Sequence, residues 1–536
     1  MDFDVTTLHG RRADRRWNRM AVGDVLERVT WSRPDQTAII GAPGAFATPE
    51  FAGLTYRQAD EAANRVAHAL LAQGLRRGDR VLLYCDNSVE ALVTMFGIAK
   101  AGLVAVPVNP LLAPEVLTWV LDHTEAAFAV VDAEYLDRAK PALTGLPEPA
   151  VIGGGFADWI SGRPKHEVDV EIHGDDVWSL VFTSGTTAMP KASMATHTYS
   201  YLAAYTYALS LTRGLRYEED LRLCTFLPVI YHCGHNSCVF PAFFTGGTMV
   251  LGRRPDAPVL AETITRERAT ALWAGSPMWL QKLADEALAR PDEVDLRSLT
   301  VAMFSWGAMK PGLFDRLREV AGDDLALVEV FGQTESMSSY RFWPDRYPEK
   351  RAQALAGVNH VGAPTPILAA DIVNESGESL RGKPGEPGEA VYRSPVITAG
   401  YYRDEAATAD AFRGGWFHSG DSCTFDEDGQ QIMVDRFKDI VKTGGENVSS
   451  LRVESVLAEH LAVDRVAVIG VPDEKWGEVV AAVVTTVADV TAEELIVFGR
   501  QRLAGYECPK RIFFVDGMPE TVGGKILKYK LRQRFA

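Results

Sequence analysis

Cysteine is scarce in this chain. Six stand among 536 residues: Cys85, Cys224, Cys233, Cys238, Cys423 and Cys508. Their spacing fits no disulfide framework, which points to a reducing, cytoplasmic setting. Positive charge is short as well. Lys and Arg number 55 against 71 Asp and Glu, a formal net charge of −16. Nucleic-acid binders grip phosphate backbones with clustered Lys and Arg, so this balance argues against DNA or RNA as a partner. A single nucleotide stays open as a ligand, because one triphosphate needs only a local positive site. Long hydrophobic runs are missing too. The stretch from Pro228 to Gly252 carries no Asp, Glu, Lys or Arg, but it holds two His, an Asn, a second Pro and a Gly-Gly pair. It reads as buried strand and loop, not as a membrane span. The first residues, MDFDVTTLHGRRADRR, lack the apolar segment of a signal peptide.

What is present is an ordinary globular balance, 47% hydrophobic and 24% charged. That excludes a disordered chain, a collagen and a small disulfide scaffold. The length suits three to four domains, or one large body plus a smaller one. RQADEAANRVAHALLAQG spaces its apolar residues at helical intervals and ends in Gly. RVLLYCDN then reads as a strand, ALVTMFGIAKAG as a helix and VAVPVN as a second strand. This βαβ alternation predicts a parallel sheet covered by helices. It recurs over 173–197, 224–251, 261–290 and 297–335. After about residue 362, short strands and Gly/Pro-rich turns (RGKPGEPGEAVYRSP) predict a small antiparallel region. After about 437 a compact α+β unit follows. ENVSSLRVESVLAEH and TAEELIVFGRQRLAG are its expected helices, VDRVAVIGVPD and EVVAAVVTTV its strands. The expected fold class is α/β, with a large N-terminal domain (1–436) of mixed sheets and a small C-terminal domain (437–536).

Thr183-Ser184-Gly185-Thr186-Thr187-Ala188-Met189-Pro190-Lys191 follows the apolar strand WSLVF. Small residues let backbone N–H groups approach phosphate oxygens, hydroxyls donate further bonds, and Lys supplies charge. It is not a Walker loop, because Pro190 stands where that motif has Gly before Lys. Further motifs follow in order: Phe331-Gly332-Gln333-Thr334-Glu335; Gly415-Trp416-Phe417-His418-Ser419-Gly420-Asp421; Asp435-Arg436-Phe437-Lys438-Asp439; Gly444-Gly445-Glu446-Asn447; and Thr521-Val522-Gly523-Gly524-Lys525-Ile526.

In this order and spacing the set resembles the adenylate-forming, AMP-binding superfamily of acyl-CoA synthetases, luciferases and peptide-synthetase adenylation domains. The likeness runs from about residue 20 to the end. It implies activation of a carboxylic acid by ATP and Mg²⁺, transfer of the acyl group to a thiol such as CoA, and a mobile C-terminal domain. Homodimers are common in the family. The resemblance implies that Thr183, Ser184, Gly185, Thr186, Thr187 and Lys191 grip the β and γ phosphates. It implies that Thr334 contacts phosphate and that Glu335 holds the metal. Phe331, Gly307 and Ala308 would line adenine, and Asp421 with Arg436 would bind the ribose. Lys525 would touch the carboxylate and the α-phosphate, where a positioned ammonium offsets the repulsion of two anions. Lys438 would be the hinge, and Gly444-Gly445 would line the pantetheine tunnel in the second half-reaction.

The sequence also departs from the family pattern. Ala188 and Ala192 stand where the phosphate loop usually has Gly, and Ala tolerates positive φ poorly. In Leu227-Pro228-Val229-Ile230-Tyr231-His232-Cys233-Gly234 the aromatic expected to face the acid is either Tyr231 or His232. The cluster His232, Cys233, His235 and Cys238 fits no standard zinc spacing. Trp306 replaces the usual Gly beside the acid pocket. It either shortens the tunnel, favouring a small or aryl acid, or turns into the core. Trp273, Ser276 and Met309 are further candidates for the pocket wall. The reading is an AMP-forming acid–CoA ligase. Two alternatives keep adenylation: a carrier-protein-loading ligase, and an enzyme of natural-product biosynthesis with another acceptor, such as a nitrite-activating diazotase acting on an aryl amine. No acidic residue lies between Asp220 and Asp256 to hold an α-amine, which disfavours an α-amino acid.

Overall fold

The computed structural model describes residues 19–111, 114–183, 190–306, 309, 312–355, 358–521 and 524–535. Three sheets organise it. The first has six strands in the order Ala150–Ile152, Phe128–Asp132, Arg80–Tyr84, Val104–Pro107, Val177–Thr183, Lys191–Thr196. All its pairs are parallel except the last. The second has thirteen strands. Its centre is parallel, from Thr37–Gly41 through Thr248–Leu251, Arg222–Thr225, Ala271–Gly275 and Val301–Phe304 to Ala326–Gln333. Beyond Ala326–Gln333 it turns antiparallel, through Ser336–Phe342, Asn359–Pro364, Gln431–Arg436, Phe417–Phe425, Gly388–Arg393 and Ala369–Val373. The expected antiparallel region after 362 is therefore present, but it continues the large sheet.

The main core lies between these two sheets. The helix Val89–Lys100 is buried along its whole length, as its apolar sequence on all sides requires. Lys100 at its end is paired with Asp60 at 2.8 Å and Glu167 at 2.5 Å. Charges this deep persist only when paired. Gly97 lets the helix Tyr56–Leu71 approach, since a Cβ there would lie 2.5 Å from Val66.

The third sheet belongs to the C-terminal domain. Val463–Asp473 and Gly477–Thr486 form a long antiparallel hairpin, joined by Val441–Thr443, Glu446–Val448 and Arg511–Phe514. The helices Ser450–Ala458, Ala492–Arg500 and Lys528–Phe535 complete the domain. Thr491 and Glu494 form the capping box that starts the middle helix.

Three expectations need correction. The segment 173–197 is not a βαβ unit; Val177–Thr183 and Lys191–Thr196 pair as antiparallel neighbours. Seven residues between them are too few for a crossover helix. The uncharged stretch 228–252 is not strand and loop; it contains the short helical turns His232–Gly234, His235–Val239 and Phe240–Phe244 before the strand Thr248–Leu251. A short apolar run does not by itself separate buried helix from strand. Glu446–Val448 is a strand, and the helix after it starts at Ser450 behind a Ser449 cap. No helix among the described residues is long and apolar enough to cross a membrane.

Candidate active site

Parallel strands bring their C-terminal ends to one edge, where a cleft forms. Ala326–Gln333 delivers Phe331, Thr334 and Glu335 there. The neighbouring strands Ala271–Gly275 and Val301–Phe304 deliver Trp273, Ser276 and Trp306. The Thr334 carbonyl accepts a hydrogen bond from the Tyr199 hydroxyl at 3.0 Å. It also lies 3.1 Å from Nδ1 of His232. That contact needs the proton on Nδ1, so the neutral ring keeps Nε2 as an acceptor. Burial holds the His232 pKa down to about 4, against the smaller opposing effect of the Thr334 bond. The ring is therefore neutral near pH 7, and Nε2 is buried with no partner among the described residues.

Tyr231 turns the other way. Burial raises its hydroxyl pKa first, and the groups next in effect are Cys85 and Asp86. The turn His235–Val239 that follows is a π-turn. Such a turn takes up an extra residue within a helical segment. Ser237 in it accepts the indole N–H of Trp273 at 2.5 Å.

Trp306 has φ +66° and is 39% exposed, so it does not turn into the core. Its ring stacks on buried Trp273, with centroids 5.6 Å apart at 30°. An L-residue in this left-handed region carries a cost of about 1–2 kcal/mol. Met309 is half-buried and packs against the cluster that contains Phe304. Ala192 lies in the strand Lys191–Thr196, away from positive φ. Ser184, Gly185, Thr186, Thr187, Ala188, Gly307 and Ala308 lie outside the described residues.

Asp421 and Arg436 face each other on paired strands, with Nε to Oδ1 at 2.8 Å. Burial raises the Asp421 pKa; Arg436, then Lys525, oppose it. Arg436 in turn feels Asp421 first and Glu335 after it. Lys525 reaches this group from the C-terminal domain. Its side chain keeps contact with solvent at the cleft. Confinement by the surrounding protein, then Arg436 and Lys438, lower its pKa to about 8. Lys438, though exposed, is lowered by the protein packed around it and by Arg436. Next to Lys525, Gly524 is buried at φ +85°, where a Cβ would stand 2.8 Å from Ser276 Oγ. The loop carrying Lys525 is thus seated on the wall of the cleft. Gly444 and Gly445, in the same domain, are exposed. The atoms nearest to a Cβ on Gly444 would be those of Trp476, a residue of its own domain.

The strand Gln431–Arg436 of the large sheet ends at Arg436, and two of its residues, Val434 and Asp435, bond across to the C-terminal domain. Ser449 Oγ donates to the Val434 carbonyl at 2.6 Å. Asp435 accepts from the Ser450 N–H at 2.5 Å and from its hydroxyl at 2.7 Å. Arg532 pairs with Asp439 at 2.6 Å.

Sequence reasoning passed over Tyr199 and Tyr401. The Tyr401 hydroxyl donates to Glu335 Oε1 at 3.0 Å. Neither tyrosine carries a local motif that marks it; each comes to the cleft through long-range pairing.

A family model described as AMP-binding enzyme matches residues 26–402, and one for the AMP-binding enzyme C-terminal domain matches 452–525. A feruloyl-CoA synthase of an Amycolatopsis species is 33% identical over 486 residues, 90% of this chain and 94% of its own. A 2-succinylbenzoate–CoA ligase of Bacillus licheniformis is 31% identical over 480 residues, 89% of this chain and 94% of its own. Among solved structures, the anthranilate CoA ligase AuaEII in complex with anthranoyl-AMP matches with TM-score 0.82 at 27% identity, over 96% of this chain and 97% of that one. The amide bond synthetase McbA from Marinactinospora thermotolerans matches with TM-score 0.80 at 29% identity, over 96% and 100%.

Proposed function

We propose that this chain, which belongs to the AMP-binding enzyme family, activates a small or aryl carboxylic acid as its acyl-adenylate and passes the acyl group to CoA. The observation that carries the choice of acid is Trp306. It projects beside the cleft on a strained backbone and stacks on Trp273. A flat indole in place of a hydrogen atom shortens the space and offers a face to an aromatic ring. Relatives named for feruloyl, succinylbenzoate and anthranilate substrates support the same reading.

In this reading His232, not Tyr231, faces the acid, with Trp273, Ser276, Trp306 and Met309 around it. The segment from Thr183 to Lys191 holds the β and γ phosphates, and Thr334 contacts phosphate. Gly307, Ala308 and Phe331 line adenine, and Asp421 and Arg436 take the ribose. Glu335 suits Mg²⁺: it is a hard oxygen donor beside the phosphate site. Among the described residues no group of three or more His, Cys, Asp or Glu converges on one point. The metal would depend on that carboxylate and on phosphate oxygens, and when bound it would neutralise phosphate charge. Lys525 offsets the charge that builds as carboxylate meets α-phosphate. The domains divide at 437. Lys438 is the pivot about which the smaller one turns to bring Gly444-Gly445 to the thioester step.

A second reading keeps the first half-reaction and changes the acceptor to an amine. The likeness to an amide bond synthetase favours it. One assay separates the two: pyrophosphate release over aryl, short and long acids, and over nitrite with aryl amines, each with and without CoA. The first reading expects aryl or short acids to release pyrophosphate alone and CoA thioester only when CoA is added. Release confined to long acids overturns the choice of acid; product that forms with amine and not with CoA overturns the choice of acceptor.

A further inference from the structure

We infer that Tyr401 is a positioning residue for the nucleotide's metal and phosphates. The inference rests on the ATP-binding reading above. Tyr401 lies between two groups of opposite charge that the sequence places far apart. Its hydroxyl donates to Glu335 Oε1 at 3.0 Å. The ammonium of Lys191, the last residue of the phosphate-loop motif, stands over its ring at 4.8 Å from the centroid. A cation over an aromatic face is attracted by the ring's quadrupole. One side chain therefore orients both an anion suited to the metal and a cation suited to the phosphates.

The backbone around Tyr401 is fixed on both sides. Tyr401 bridges to Ser193, and Tyr402 N–H donates to the Ala192 carbonyl at 2.9 Å. This segment is thus paired with the strand that follows the phosphate loop. On the other side, Tyr401 N–H donates to Thr408 Oγ1 at 2.9 Å. Gly400 permits that contact, because at φ +122° a Cβ would lie 2.6 Å from Thr408. Three residues earlier, the Thr398 N–H donates to the Glu335 carbonyl at 2.7 Å. The segment 398–402 thus links the phosphate-loop strand to the turn that carries Thr334 and Glu335.

Glu335 is buried, and among the described residues the Tyr401 hydroxyl is its only side-chain hydrogen-bond donor. Without it the carboxylate can rotate away from the metal position. Lys191 is exposed, and without the ring beneath it the ammonium loses its platform.

Two substitutions separate these roles. Tyr401→Phe removes the hydroxyl and keeps the ring; Tyr401→Leu removes both. Binding of ATP to the full-length protein is measured by calorimetry at graded Mg²⁺, in EDTA, and with AMP in place of ATP. Tyr401→Phe should raise the Mg²⁺ concentration for half-maximal ATP binding by about tenfold, within the usual cost of losing a partner that orients a metal ligand. Its binding of metal-free ATP and of AMP should match the parent. Tyr401→Leu should also weaken metal-free ATP, with AMP again unchanged. A Mg²⁺ midpoint within twofold of the parent for Tyr401→Phe overturns the inference. So does an equal loss for ATP and AMP, which marks a general structural role. A parent protein that binds no ATP overturns the ATP reading itself, and this inference with it.

Discussion

At the residue scale, Lys525 joins a cleft already occupied by Arg436 and Lys438. Confinement by the surrounding protein, with those two cations after it, lowers its pKa to about 8, well under an ordinary lysine. A lowered pKa means that the proton leaves at lower pH. If the ammonium is the working form, kcat/KM for ATP should hold below pH 8 and fall as pH rises through it, since this parameter reports the free enzyme. Lys525→Ala should cost adenylation about a hundred- to a thousandfold, the range for losing one preorganised electrostatic group. It should largely spare transfer from a supplied acyl-adenylate to CoA. Normal pyrophosphate exchange in that variant would sink the assignment. Trp306 offers a second test. Trp306→Gly removes about 1–2 kcal/mol of left-handed strain and loses a stack of about 0.5–1.5 kcal/mol. The apolar area that the indole covers is lost in addition to the stack, so the melting temperature should fall modestly while longer acids gain activity. An unchanged acid-length profile would place the indole outside the substrate's path.

At the scale of elements, legibility followed locality. The motifs around Thr183, Phe331, Asp421, Arg436 and Lys525 each pack their chemistry into a few consecutive residues, so they stood out in the sequence. The strands Val463–Asp473 and Gly477–Thr486 and the helix that starts after Thr491 were also readable as apolar segments. What stayed hidden was set by distant partners. The hairpin at 177–196 looked like a βαβ unit because its apolar pattern matches either arrangement. Nor did periodicity separate His232 from Tyr231. The carbonyl of Thr334 orients the His232 ring, and that contact depends on how the chain packs. Tyr401 was invisible for the same reason, since its role comes from pairing with residues some 200 positions earlier.

For the whole molecule, the seat of Gly524 on Ser276 defines one arrangement of the two domains. A Cβ at Gly524 would stand 3.5 Å from the Ser276 Cβ. That matches the Cβ separation of about 3.5–4.5 Å in disulfides. The double variant Ser276→Cys, Gly524→Cys should therefore crosslink on oxidation and hold the domains as they stand here. Five of the six native cysteines are buried, which keeps competing pairs few. Compared with its own reduced form, the oxidised variant should retain single-turnover adenylation. It should lose at least tenfold in thioester formation and recover with reductant. Equal loss in both steps would argue against alternation. The acidic total of the chain does not oppose nucleotide binding, because Arg436, Lys438 and Lys525 gather positive charge at one place.

The strand Gln431–Arg436 carries one more consequence. It holds Arg436, salt-bridged to Asp421, and ends two residues before Lys438. On the proposed function, the clamp on the sugar and the axle of the smaller domain share one rail, bonded into the thirteen-stranded sheet. In the two-step cycle proposed above, the nucleotide half of the intermediate would stay bolted to that rail while the smaller domain swings. The reacting carbon would then not travel between stations; successive tools would be carried to it.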